Sequence, residues 1–176
     1  MDKHELEGTR RASTSTRELS DAVKRAIAEG PESAYAYATY HELSAEELAA
    51  LEGAVMESPE WASHFLRDVS GADVLRLLDA VCRDPKVAFR TAKALPKLQT
   101  MRLARAAAQS PKWAYYFAKD VSFLHVGVLQ EGASRSPEWA TKFARDVPGA
   151  DVAALFESVR GDPLWEMKFL RDVKRK

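Results

Sequence analysis

Cysteine is all but missing from this chain: Cys82 stands alone in 176 residues, so no internal disulfide can form. A reducing compartment is the simpler expectation. No apolar run approaches the ~20 residues that a membrane-spanning helix needs. The N-terminus carries Asp2, Lys3, His4, Glu5 and Glu7 where a secretory leader would carry an apolar stretch. These absences predict a soluble, cytoplasmic protein without membrane association.

The elements of an active site are equally sparse. The four histidines, His4, His41, His64 and His125, lie far apart and without the H-E-x-x-H spacing of a zinc site. Cys82 has no CxxC partner, and neither a glycine-rich phosphate loop nor a G-x-S-x-G turn occurs. The expectation is a non-enzymatic protein with no cofactor and no metal.

Basic residues are missing from one stretch. Between Ala26 and Leu66 there is no Lys or Arg, but there are eight glutamates: Glu29, Glu32, Glu42, Glu46, Glu47, Glu52, Glu57 and Glu60. From Arg67 onward 20 basic residues face 13 acidic ones, so the formal net charge of zero hides a separation along the chain. That separation predicts an electrostatic dipole along the long axis.

What is present is a repeat. Pro31, Pro59, Pro85, Pro111, Pro137 and Pro163 follow one another at intervals of 28, 26, 26, 26 and 26 residues. The surrounding text recurs as Ser58-Pro59-Glu60-Trp61-Ala62, Ser110-Pro111-Lys112-Trp113-Ala114 and Ser136-Pro137-Glu138-Trp139-Ala140. A period in this range denotes stacked supersecondary units, each too small to bury its apolar face alone. Numbering each unit from its proline, Ser or Asp precedes position 1 in five units, and such a residue before Pro announces a helix N-terminus.

Within this helix, here called A, apolar residues fall at positions 3, 4, 7, 8 and 11, a single stripe at helical spacing. Trp61, Trp113, Trp139 and Trp165 take position 3, and Phe65, Phe117, Phe143 and Phe169 take position 7. All eight are expected to form the core. A Ser/Pro/Gly break follows, as at Ser70-Gly71 and Pro148-Gly149. A second helix, B, then has Val74, Leu77, Leu78 and Val81, or Val152, Leu155, Phe156 and Val159, as its apolar side. Ser70 with Asp73, and Ser44 with Glu47, have the spacing of capping boxes for B helices.

The fold class expected is therefore all-α. It is a right-handed α-solenoid of about five two-helix, 26-residue repeats across residues 17–176, flanked by a lone B helix near 20–29 and a final A helix from Pro163. Residues 1–16, lacking an apolar period, are expected to be a disordered arm. Residues 85–135 are expected to be the softest section. There Val87 and Thr91 stand where other units have Trp and Phe, so that core is smaller unless Phe89 compensates, and the B helix after Pro111 contains Gly127, Gln130 and Gly132.

One column is charged. Position 9 is basic in five successive units, Arg67, Lys93, Lys119, Arg145 and Arg171, and position 6 nearby holds His64, Arg90, Tyr116, Lys142 and Lys168. Both lie opposite the apolar stripe, so stacking predicts a solvent-facing ridge. Three readings are open: a solubilising face with local pairs such as Lys142–Asp146 and Lys168–Asp172, a protein-binding face, or a nucleic-acid track meeting phosphates. The glutamate-rich first end and the basic last end also suggest head-to-tail self-association.

Residues 18–176 resemble the α-helical solenoids grouped with HEAT-like and leucine-rich-variant repeats. They are also similar to tandem bacterial and phage repeats of the pattern Ser-Pro-Glu-Trp-Ala-x-x-Phe-Ala, written most fully here as Ser136 to Ala144. The units are shorter than typical HEAT repeats, and no cysteine cluster like that of some leucine-rich-variant proteins is present. The resemblance implies a fold and a binding or scaffolding role for an unidentified protein partner, and no catalytic residue.

Overall fold

The computed structural model of the chain describes residues 19–98 and 100–173. The expected arm at 1–16 lies outside these residues, as do Lys174, Arg175 and Lys176. The described residues form twelve α-helices and one 3-10 turn, with no strand among them. The B helices are α1 (Asp21–Glu29), α3 (Ala45–Val55), α5 (Val74–Val81), α7 (Met101–Ala107), α9 (Val126–Ser134) and α11 (Val152–Val159). The A helices are α2 (Pro31–Tyr40), α4 (Pro59–Asp68), α6 (Pro85–Ala94), α8 (Pro111–Asp120), α10 (Pro137–Asp146) and α12 (Pro163–Val173). Each A helix but α12 packs on the B helix that follows it, and neighbouring A helices pack on one another, so the molecule is an all-α solenoid.

Every A helix begins with proline at its first position, where the missing N–H removes no helical bond. Ser58, Asp84 and Asp162 accept hydrogen bonds from first-turn amides. Ser110 and Ser136 occupy the same place without a side-chain bond, and cap only through their carbonyls. The B helices start less uniformly. Ser44 and Glu47 close a reciprocal capping box, but Ser70 does not cap α5. Asp73 itself is the cap there, accepting from Leu75 and Arg76.

The interior consists of residue columns that run through the stack. Eight residues before each proline stand Val23, Leu51, Leu77, Leu103, Leu129 and Leu155, all fully buried. Opposite them, Phe65, Phe117, Phe143 and Phe169 are buried at position 7, and Ala62, Ala88, Ala114 and Ala140 at position 4 bring the helices close. Each buried Leu or Phe contributes about 1.5–3 kcal/mol relative to exposure, and the contribution needs a neighbouring unit to complete the pocket.

Two sequence expectations are corrected. The tryptophans are not in the core: Trp61, Trp113, Trp139 and Trp165 are half-buried and pack against it. Position 3 points along the boundary between successive A helices, whereas position 7, one turn on, points at the B layer. Val74 and Val152 are exposed, because they are the first residues of their helices and precede the buried face. In the unit at Pro85, Phe89 does compensate for the missing Trp and Phe. Phe89 is buried and stacks on Trp113 with ring centroids 5.3 Å apart, and buried Thr91 hydrogen-bonds Ser63 at 2.7 Å.

Two residues expected to weaken α9 have structural tasks. A Cβ on Gly132 would lie 2.5 Å from the Ala108 carbonyl oxygen, so the glycine is what allows α9 to approach the end of α7. The Gln130 side chain accepts from the Asp151 amide at 2.7 Å, tying α9 to the cap of α11. Buried Glu52 does the same for Asp73 at 2.6 Å and pairs with Arg76 at 3.6 Å.

Candidate functional site: the A-helix ridge and the A–B edge

The residues of the expected ridge do recur along the A layer, but they are engaged with side chains of their own helix or of a neighbouring one. Position 5 of one A helix meets position 3 of the next: Tyr35 against Trp61 at 5.3 Å, Phe89 against Trp113 at 5.3 Å and Tyr115 against Trp139 at 5.5 Å. Position 6 lies over the same tryptophan. His64 and Tyr116 place rings on Trp61 and Trp113. Lys142 and Lys168 place ammonium groups 4.1 and 4.2 Å from the ring centres of Trp139 and Trp165. Arg90, with Val87 beneath it in place of Trp, reaches back to Glu60 at 3.2 Å.

Position 9 is matched by carboxylates at position 10. Arg67, Arg145 and Arg171 each make paired hydrogen bonds to the adjacent aspartate, Asp68, Asp146 and Asp172, with distances of 2.6–3.2 Å. Lys93 reaches Asp120 of the following unit at 3.6 Å. Lys119 donates to the Tyr115 hydroxyl, which donates to Asp146 of the following unit at 2.7 Å, and Tyr35 donates likewise to Asp68 at 2.7 Å. The expected pairs Lys142–Asp146 and Lys168–Asp172 are not formed. Lys142 turns to Glu138 at 2.6 Å, and the arginines occupy both aspartates.

Electrostatics follow from this geometry. The Arg145 hydrogen bonds hold Asp146 down at about 2, assisted by the Tyr115 hydroxyl. Asp146 in turn raises Arg145. Burial and the bond to Asp146 push the Tyr115 phenol up, while the bond to Asp68 is the main cause of the same shift at Tyr35. The Arg67 hydrogen bonds likewise lower Asp68, so these two aspartates stay ionised across the physiological range and offset the arginines beside them.

Unpaired apolar surface lies elsewhere. Because the A helices run side by side in one direction, the A–B connections share one edge of the solenoid. There Leu75, Phe123 and Leu124 are 70%, 60% and 76% exposed, with Val74, Met101 and Val152 also exposed beside them. Sequence reasoning missed this edge by assigning Val74 and Val152 to the core. The usable signal was that Phe123 and Leu124 stand in a connection, outside any helical period. Arg76 and Arg102, paired with Glu52 and Asp79, flank it.

Other chemistry is limited. Burial pushes the Cys82 thiol up, away from the reactive thiolate form. Among the described residues no group of three His, Cys, Asp or Glu side chains could hold a metal ion, and no helix is long and apolar enough to cross a membrane. Compared with protein-family models, curated proteins and solved structures, the chain finds no match.

Proposed function

We propose that this solenoid is a non-enzymatic protein-binding module, a scaffold or adaptor that holds a partner along the A–B edge. The observation that carries this reading is the run of exposed apolar side chains there, Leu75, Met101, Phe123 and Leu124, contributed by three successive units. Interface centres combine apolar and aromatic side chains with a charged rim, and Arg76 and Arg102 supply that rim. The resemblance to HEAT-like and leucine-rich-variant arrays supports the same role, and the bacterial or phage affinity of the repeat belongs to this proposal as well.

The nucleic-acid reading has less to rest on, because Arg67, Arg145 and Arg171 are held by aspartates and Lys142 and Lys168 by tryptophans. A track for phosphates needs cations free to displace counterions. The two readings separate in one experiment. The chain is used to capture partners from its native host beside a Leu75→Glu/Leu124→Glu variant and an Arg67→Glu/Arg145→Glu variant. Specific protein capture lost only in the first supports the edge; capture of nuclease-sensitive material lost only in the second overturns it.

A further inference from the structure

The rule that joins units inside the chain leaves a complementary face at each end of the stack. Positions 5 and 9 of an A helix look forward, onto positions 3 and 10 of the next A helix. That is the register of Tyr35 on Trp61, Phe89 on Trp113, Tyr115 on Trp139, Lys93 on Asp120 and Tyr115 on Asp146.

At the last described helix the forward face is open. Met167 occupies position 5 of α12 and is 62% exposed, whereas Phe89, Tyr115 and Thr141 at the same position are buried. Leu164 on α12 is exposed as well.

Among the described residues the backward face at the first end is open. Between α1 and α2 lies a groove of about 430 Å³, walled by Ala22 and Ala26 on one side and Ser33, Ala36, Tyr37 and Tyr40 on the other. It lies where a preceding A helix would pack, since α1 is a B helix with no A helix of its own among the described residues. Position 3 there is Ser33, so the place that Trp fills in other units is vacant, and Tyr40 at position 10 is exposed.

We infer that a second copy of this chain fills the groove, with α12 of one copy seated between α1 and α2 of the next, so that the last A helix and the first B helix form one more complete unit. Met167 enters the space above Ser33, and Arg171 at position 9 comes opposite Tyr40. At the contact itself charge is balanced, since Arg25 and Glu29 both line the groove and α12 sets Glu166 and Asp172 beside Lys168 and Arg171, so the register sets the fit. At longer range the eight glutamates of residues 26–66, a stretch without Lys or Arg, attract the Lys174-Arg175-Lys176 with which the sequence continues after α12. The contact is heterologous and does not close on itself, so assembly is open-ended. It is independent of the A–B edge, and either proposal can fail alone.

The test is sedimentation of the full chain over rising concentration, at low and high salt. Average mass climbing without a plateau at the dimer, and falling with salt, is the expected result. Met167→Glu blocks one end and Ala36→Arg the other; both residues are exposed, and unchanged helical circular dichroism shows that the variants fold. Each variant alone should be monomeric, and an equimolar mixture should stop at a dimer, because one good end of each kind remains. A wild-type chain that stays monomeric into the millimolar range overturns the proposal. So does assembly that survives either substitution.

Discussion

Position 3 and position 7 of the A helix look equivalent as sequence, both aromatic and both on the apolar stripe, yet they differ in what surrounds them. Phe143 is fully buried, while Trp139 lies at the boundary between α8 and α10 under Lys142. Phe143→Ala is expected to cost about 3–5 kcal/mol in denaturant melts, the usual range for a buried aromatic. Trp139→Ala should cost less, about 1–3 kcal/mol, since its ring is only partly buried. A larger loss at Trp139 would mean that the boundary rings, not the phenylalanine column, hold the units together. The Asp146 carboxyl makes a second residue-level prediction. Its folded value, about 2, lies below the ordinary aspartate value near 3.9, so its stabilising contribution is complete above pH 4 and is lost as pH falls through 2. The loss should be about 1–2 kcal/mol after allowance for solvent screening. Asp146→Asn should flatten that part of the pH–stability curve; an unchanged slope would show that the Arg145 and Tyr115 bonds add nothing.

At the scale of the element, glycine separates two tasks that the sequence does not distinguish. Gly127 in α9 has open space around its Cα, and Gly127→Ala should stabilise by about 0.5–1 kcal/mol through helix propensity. Gly132→Ala in the same helix should instead destabilise by about 1–3 kcal/mol, because the added methyl would meet the backbone at Ala108. Thermal melts of the two variants should move in opposite directions, and two shifts of the same sign would contradict the close approach of α7 and α9. The example marks the limit of what was legible. Helix starts were, because Ser-Pro and Asp-Pro fix them locally, and so was the pairing of A with B, because the period is regular. The identity of the group across a unit boundary was not. Periodicity says which face a side chain takes, but not that Gln130 reaches the Asp151 amide, or that Arg145 makes paired bonds to the adjacent Asp146. For the same reason local pairing on the ridge was legible as a possibility while the partners were not, since Lys142 turns to Glu138 and Asp146 takes Arg145.

At the scale of the whole molecule, each unit meets only its neighbours, so stability should be a sum of unit and boundary contributions rather than one indivisible quantity. A defect in the middle of the stack breaks two boundaries. A defect at an end breaks one, and the terminal unit can open while the rest persists. The most direct measurement of this continuous, translationally ordered interior is the denaturant midpoint of the helical signal for Phe117→Ala and Phe169→Ala. Both residues are buried at position 7, one flanked on both sides and the other in α12. A large fall for Phe117→Ala, with a small fall and an early, shallow loss of signal for Phe169→Ala, is the result expected. Equal, fully cooperative shifts in the two variants would contradict the stacked solenoid.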